Sequence, residues 1–231
     1  MNIAAVLWDM NPVAFSLGSL ELRWYSLLFA LAFVAGYCIL KTVVFDKEKV
    51  PASYLDRLAF YVFLGVLIGA RLGHCLFYEP SYYLTHPIEM LLPIKSTAEG
   101  WNFIGYQGLA SHGGAIGILI AIWLYSRKTK LPMFWVLDRL VIIVALAGLF
   151  IRLGNLMNSE IYGVPTGSDW GFVFLRNGEQ VAKHPTQLYE ATAYFLCFLV
   201  LLFCYLHAKR KPKNGVLFGM FLVIVFASRL I

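Results

Sequence analysis

Charge is scarce in this chain, and its scarcity excludes the most. Asp, Glu, Lys and Arg make up 14% of the 231 residues while 60% are hydrophobic, and the mean hydropathy is +0.70. An ordinary soluble domain is about a quarter charged, so the composition is that of a helical integral membrane protein. The net charge of +6 does not indicate a nucleic-acid partner, because the basic residues fall in short clusters between apolar runs, where the positive-inside rule accounts for them. Cysteine is also sparse. Cys38, Cys75, Cys197 and Cys204 all lie inside apolar runs, which argues against a disulfide framework and reads as buried small apolar residues. The first basic residue is Arg23, so the start of the chain lacks the basic segment of a signal peptide and no cleavage is expected. There is no Ser- or Cys-based nucleophile motif, no His-Glu-x-x-His run, no Walker loop and no Rossmann glycine pattern. His86, His112 and His184 are widely separated in sequence, which argues against a zinc site. Any nucleophile then arrives with a substrate.

What is present is a set of long apolar runs. The first 23 residues, broken by Pro12 and Gly18, are read as lying along the outer face. Spans are predicted at about 24–44, opened by the interfacial pair Trp24-Tyr25, and at 58–78, 109–125, 134–152 and 185–207; a sixth starts near Gly215. A short charged loop, Phe45-Asp46-Lys47-Glu48-Lys49, follows the first. Gly65, Gly69 and Gly73 recur at the four-residue spacing that lets helices approach closely. Residues 79–108 are interrupted by Pro80, Pro87, Pro93 and Gly100 and should not span. Basic clusters follow spans one, three and five, the last being Lys209-Arg210-Lys211-Pro212-Lys213, and put those ends in the cytoplasm. The predicted fold is all-α: a polytopic membrane helical bundle, one integral membrane domain over 1–231, with six spans, the N-terminus outside and outward-facing loops at 79–108 and 153–186.

All the unusual chemistry then lies on the outer side. The spans running outward carry Arg71-Leu72, Arg152-Leu153 and Arg229-Leu230, about 14, 18 and 14 residues from their starts, or roughly 21–27 Å along a helix. Each arginine alone also fits a snorkelling side chain, or one paired with Glu160 or Glu190. Together they favour an anionic lipid head group, since guanidinium forks match phosphate oxygens. Asn155, Asn158 and Glu160 follow Arg152 closely and extend this polar edge. His112 opens the third span with Gly113 and Gly114 beside it, which leaves room for a substrate near an imidazole able to accept a proton at neutral pH. In His184-Pro185-Thr186-Gln187-Leu188-Tyr189-Glu190, Pro185 suits a first helical turn, and Gln187 and Glu190 share a face. Glu190 can fix an arginine, orient a histidine, or simply favour the helix dipole.

These residues carry a resemblance. Leu22-Arg23-Trp24-Tyr25, Gly69-Ala70-Arg71-Leu72-Gly73, Ser111-His112-Gly113-Gly114, Arg152-Leu153-Gly154-Asn155 with Asn158, Glu160 and Gly163, and the run from His184 to Glu190 follow in the order of the bacterial prolipoprotein diacylglyceryl transferase family, which the whole chain resembles. The resemblance implies a membrane enzyme that moves the diacylglyceryl group of phosphatidylglycerol to the thiol of a lipobox cysteine in a preprolipoprotein signal peptide, releasing glycerol 1-phosphate. It implies a reaction that requires no metal or organic cofactor, and location in the bacterial inner membrane with the site facing outward. Tyr25, His112, Arg152, Asn155, Glu160 and Arg229 match positions associated with activity; Arg152 and Arg229 resemble the pair holding the head group, and His112 the proposed base. Arg71, Asn158, Gly113, Gly114, His184, Gln187 and Glu190 join Asn155 and Glu160 as candidate substrate contacts. The family also implies a seventh helix beyond Arg229, which these residues do not include. A non-catalytic anionic-lipid-binding protein or transporter is the competing reading, and the lack of a clear inverted repeat counts against transport.

Overall fold

A backbone in hydrocarbon has to satisfy its own hydrogen bonds, and the apolar runs of this chain do so as helices. The computed structural model describes residues 5–18, 20–92, 94–97, 100–103, 108–208 and 213–229. In chain order the helices are α1 (Trp24–Ile39), α2 (Asp46–Glu48), α3 (Ala52–Phe77), α4 (Pro80–Tyr83), α5 (Pro87–Leu91), α6 (Ser111–Thr129), α7 (Met133–Met157), α8 (Thr186–His207) and α9 (Val216–Ala227). Among the described residues, four helical stretches are long and apolar enough to cross a membrane: Trp24–Glu48, Ala52–Phe77, Met133–Met157 and Thr186–His207. The protein is thus a mostly helical membrane protein. Lys209, Arg210, Lys211 and Pro212 of the last basic cluster, together with Pro93 and Leu230, entered the sequence reading and lie outside the described residues.

Several boundaries differ from the sequence reading. No charged loop follows the first span: α1 passes through a π-helical segment, Leu40–Phe45, into α2, and the chain turns only at Lys49, with φ +57°. Val44 and Phe45 are buried, Phe45 packs edge-on against Trp135, and Trp135 Nε1 donates to Glu48 Oε2 at 3.3 Å, so the helical register has partners past the first charge. The α7 helix runs on to Met157 rather than ending near Arg152; Leu153-Gly154-Asn155-Leu156-Met157 holds no proline, and Gly154 is the close-approach site of the Tyr25 ring. Arg229 sits in the turn after α9 instead of within a span. Pro80 and Pro87 interrupt 79–108 by starting α4 and α5, where a missing N–H is harmless. Cys75 and Cys197 are buried as expected, but Cys38 is exposed; all four cysteines are free.

The all-α expectation also missed three two-stranded sheets. β1 (Val6–Trp8) pairs parallel with β6 (Phe172–Phe174), β2 (Val13–Leu17) antiparallel with β3 (Leu20–Arg23), and β4 (Ile94–Thr97) antiparallel with β5 (Gly100–Phe103). The chain divides into two compact units, residues 1–44 with 137–231 and residues 45–136.

In the first unit, small residues admit neighbouring side chains: a Cβ on Gly36 would meet Ile143 at 3.1 Å, and one on Gly148 would strike the Tyr194 ring at 2.7 Å. Asp138, fully buried on α7, accepts from the backbone N–H groups of Gly215 at 2.7 Å and Phe218 at 2.9 Å, so a carboxylate from another helix caps α9. Trp8 Nε1 donates to the Leu156 carbonyl at 3.0 Å and ties β1 to the end of α7.

The second unit is built on the contact of α3 with α6. A Cβ on Gly117 would run into the Gly65 carbonyl and lie 2.9 Å from Gly69 Cα, and one on Gly113 would run into the Gly69 carbonyl and lie 2.7 Å from Gly73 Cα. The two backbones therefore touch along a seam that only glycine permits. At the far end Tyr125 Oη donates to the Tyr54 carbonyl at 3.0 Å. Gly117→Ala is expected to destabilise the folded protein by roughly 1–3 kcal/mol through overpacking. By contrast, Gly219→Ala on α9, where an added Cβ meets nothing within 4 Å, should stabilise it by up to about 1 kcal/mol through helix propensity. Thermal unfolding in detergent, followed by tryptophan fluorescence, reads the opposite signs directly.

Candidate functional site

Within the first unit, α7 and α8 bring one carboxylate between two arginines. Arg152 Nη2 lies 2.7 Å from Glu190 Oε2, and Arg229 Nη2 lies 3.6 Å from the same oxygen. The Arg152 and Glu190 side chains are 11% and 23% exposed, so this pair is largely shielded from water, whereas Arg229 is 53% exposed and open to a ligand. Among the described residues, two guanidinium groups thus share one carboxylate, and the trio carries an excess positive charge. Tyr25, on the first turn of α1, belongs to the same unit, and its ring occupies space beside Gly154: a Cβ there would lie 2.7 Å from Tyr25 Cδ2.

The polar edge beyond Arg152 is a tight turn. Asn155 is still on α7 and is buried; Asn155 Nδ2 and Asn158 Nδ2 reach the Glu160 carboxylate at 3.5 and 3.3 Å. Ser159 and Ile161 have φ of +56° and +55°. Left-handed backbone is uncommon for any side-chain-bearing residue and strained for a β-branched one, at about 1–3 kcal/mol each. Gln187 is fully buried, and its Nε2 donates to the Glu160 carbonyl at 2.7 Å. Gln187 and Glu190 thus serve different partners despite their shared helix. His184 Nδ1 lies 3.1 Å from Tyr189 Oη, and its ring meets Trp170 edge-on at 5.4 Å.

Sequence reasoning overlooked the residues that fix this turn. Asn177 Nδ2 donates to the Ser159 carbonyl at 2.7 Å and Thr186 Oγ1 to the Ile161 carbonyl at 2.9 Å. Asn177 Nδ2 also lies 3.2 Å from Tyr162 Oη, which donates to Glu179 Oε1 at 2.9 Å; Lys183 Nζ lies 2.8 Å from that oxygen. The Lys183 bond, and after it the Tyr162 bond, hold the Glu179 carboxyl below its ordinary range. Asn177-Gly178 was readable only as a turn signal, and Thr186 only as part of a helix start.

The second unit holds Arg71, His112, Gly113 and Gly114. Arg71, buried on α3, donates through Nε to the Met90 carbonyl at 3.2 Å and through Nη2 to the Glu89 carbonyl at 2.6 Å, and lies over the Tyr83 ring at 4.8 Å. Tyr82 Oη donates to Glu89 Oε2 at 2.7 Å, and chiefly through that bond the phenol is pushed up to about 12. His112 is the second residue of α6 and is exposed. Gly113 and Gly114 are buried beside it, and Gly113 faces the backbone of α3.

A family model described as prolipoprotein diacylglyceryl transferase matches residues 12–231. The chain is similar to the phosphatidylglycerol–prolipoprotein diacylglyceryl transferase of Bacteroides fragilis, at 46% identity over 228 residues, covering 98% of this chain and 82% of the relative. Proteins of the same name from Tolumonas auensis (46% over 227 residues, covering 98% and 83%) and Chloroherpeton thalassium (44% over 225 residues, covering 97% and 79%) are also similar.

The shared carboxylate makes a prediction that needs no assay of chemistry. Glu190→Gln leaves Arg152 without its nearest counter-charge. Removing one partner of a buried pair costs about 3–5 kcal/mol, and partial exposure here reduces that to about 1–3 kcal/mol. The melting temperature of delipidated protein should therefore fall, and anionic phospholipid should restore it more than zwitterionic phospholipid does.

Proposed function

The chain belongs to the prolipoprotein diacylglyceryl transferase family, and from that premise we propose that it transfers the sn-1,2-diacylglyceryl group of phosphatidylglycerol to the thiol of the lipobox cysteine of a preprolipoprotein, releasing glycerol 1-phosphate. The observation that carries the reading at the level of residues is the trio of Arg152, Arg229 and Glu190, whose excess positive charge suits a phosphate.

The chemistry follows from what must change. A cysteine thiol, with a reference pKa of about 8.5, is only a few per cent thiolate at neutral pH, so loss of its proton has to be assisted. His112, exposed at the start of α6, is assigned that proton. The sulfur attacks the diacylglyceryl carbon that bears the phosphate oxygen, the carbon–oxygen bond breaks, and the electron pair leaves on the phosphate. Arg152 and Arg229 stabilise the charge that grows there; in a poorly hydrated setting such donors act far more strongly than in water. Tyr25, Asn155, Asn158, Glu160 and His184 orient the head group, as does Gln187 by fixing the turn beside it. Arg71, with Gly113 and Gly114, belongs to the same substrate-binding assignment. Lipid and signal peptide both reach the enzyme in the bilayer, so alignment supplies much of the rate.

The protein acts in the bacterial inner membrane. We assign it six spans as one membrane domain, an outer N-terminus, and outward-facing loops at 79–108 and 153–186 that put the chemistry on the periplasmic side.

The test is to incubate the protein with phosphatidylglycerol vesicles and a lipobox peptide and look by mass spectrometry for the diacylglyceryl adduct; a lipid-binding protein or transporter forms none. Arg152→Ala should lower turnover by ~10²–10³-fold, the range for losing one charge-stabilising donor, with the protein still folded. His112→Gln should abolish the acid limb of the pH–rate profile, and an unchanged profile would remove it as the base.

A further inference from the structure

The turn after α7 leaves a question that the proposed chemistry does not answer: what puts the Glu160 carboxylate where it is. Its own contacts, at 3.5 Å to Asn155 Nδ2 and 3.3 Å to Asn158 Nδ2, are at the long end of hydrogen bonding. The main chain around it is held far more tightly. Glu160 N donates to the Asn155 carbonyl at 2.9 Å and Ser159 N to the Leu156 carbonyl at 3.0 Å, which anchors the turn to α7. Three successive carbonyls then each receive a side-chain donor from elsewhere: Ser159 from Asn177 at 2.7 Å, Glu160 from Gln187 at 2.7 Å, and Ile161 from Thr186 at 2.9 Å.

Local preference does not produce this arrangement. Ser159 and Ile161, on either side of Glu160, are both in left-handed backbone. Gln187 is fully buried with its Oε1 unpartnered, and Ser159 Oγ is likewise buried and unpartnered. A core selected for stability alone would place apolar groups there. Asn177 is itself held, since Tyr162 Oη lies 3.2 Å from its Nδ2 and is fixed in turn by Glu179.

We propose that Asn177, Thr186 and Gln187 form a three-donor clamp on the strained turn 159–161, and that Asn177 and Thr186 are positioning residues which set the Glu160 carboxylate for the transfer reaction. The clamp rests on the proposed function and on the assignment of Glu160 to the substrate site. It acts through backbone carbonyls, so the chemistry it needs is a donor of the right reach. Thr186→Ser keeps that donor; Thr186→Val and Asn177→Asp remove it with little change of shape.

Steady-state transfer from phosphatidylglycerol to a lipobox peptide tests it, with size-exclusion profiles showing each variant folded. Thr186→Val and Asn177→Asp should each lower kcat at least tenfold, while Thr186→Ser stays within threefold of the parent. In the Glu160→Gln background, Thr186→Val should cause no further loss beyond twofold, because the group it positions is already gone. Activities of Thr186→Val and Asn177→Asp near the parent's overturn the clamp while leaving the proposed function standing. Full multiplication of the losses in the double variant also overturns it, since that is the mark of a purely structural role. Parent-like turnover by Glu160→Gln overturns both the clamp and the place given to Glu160, and absence of any adduct from the parent removes the transfer reading and the clamp with it.

Discussion

Every charge carried into a low-dielectric helical bundle has to be answered by something within a few ångströms, and this protein answers its buried charges in different ways. Asp138 is met by the free N–H groups at the start of α9. Arg71 is met by two carbonyls from α5 and by an aromatic face. Both are answered largely by main-chain groups, at Arg71 by an acceptor at 2.6 Å. Arg152, Arg229 and Glu190 differ, because a single carboxylate stands between two cations and one of those cations is open to solvent. Of these three arrangements, the trio keeps an excess positive charge and a solvent-open guanidinium.

That contrast bears on the three arginines grouped by their Arg-Leu dipeptides. Sequence pattern treated them as equivalent, but their surroundings do not. Arg71 is enclosed by α4 and α5, short helices started by Pro80 and Pro87 in a segment that read only as an interrupted loop. Arg229 lies past the last turn of its helix, with a side chain free to adjust. Such differences arise from tertiary neighbours, which a dipeptide motif does not encode.

Four of the six predicted spans, those carried by α1, α3, α7 and α8, were legible because hydropathy over a long window is additive and does not depend on what packs where. Termini were less so. The π-helical passage into Asp46–Glu48 depends on Trp135 meeting Glu48, a contact distant in sequence, and the extension of α7 to Met157 turns on the absence of a proline among residues whose polarity suggested a loop. The short sheets were missed because strands of three to five residues at the ends of loops carry little periodicity. In the candidate site, ionisable residues stood out against an apolar background, so Arg152, Glu160 and Glu190 were named as candidates. Asn177 and Thr186 were not, since an amide or hydroxyl near a turn is the ordinary composition of a turn, and only the carbonyls they reach reveal a further purpose.

The glycines around His112 have a packing role that the sequence reading did not include. Bare Cα atoms beside an imidazole suggest room for a substrate, yet Gly113 spends its missing side chain on α3, where the Gly69 carbonyl and Gly73 Cα occupy the volume. Backbone-to-backbone contact fixes the relative height of two helices more firmly than interdigitated side chains, which can change rotamer, and it permits weak Cα–H···O bonds. The first turn of α6 is consequently held in register by Gly113 against Gly69 and Gly73, and by Ala110 N donating to the Ala70 carbonyl at 2.9 Å. His112 lies between those two anchors in the chain. The imidazole thus stands on the exposed end of a rigid helix pair, which is the placement that the base role proposed for His112 requires.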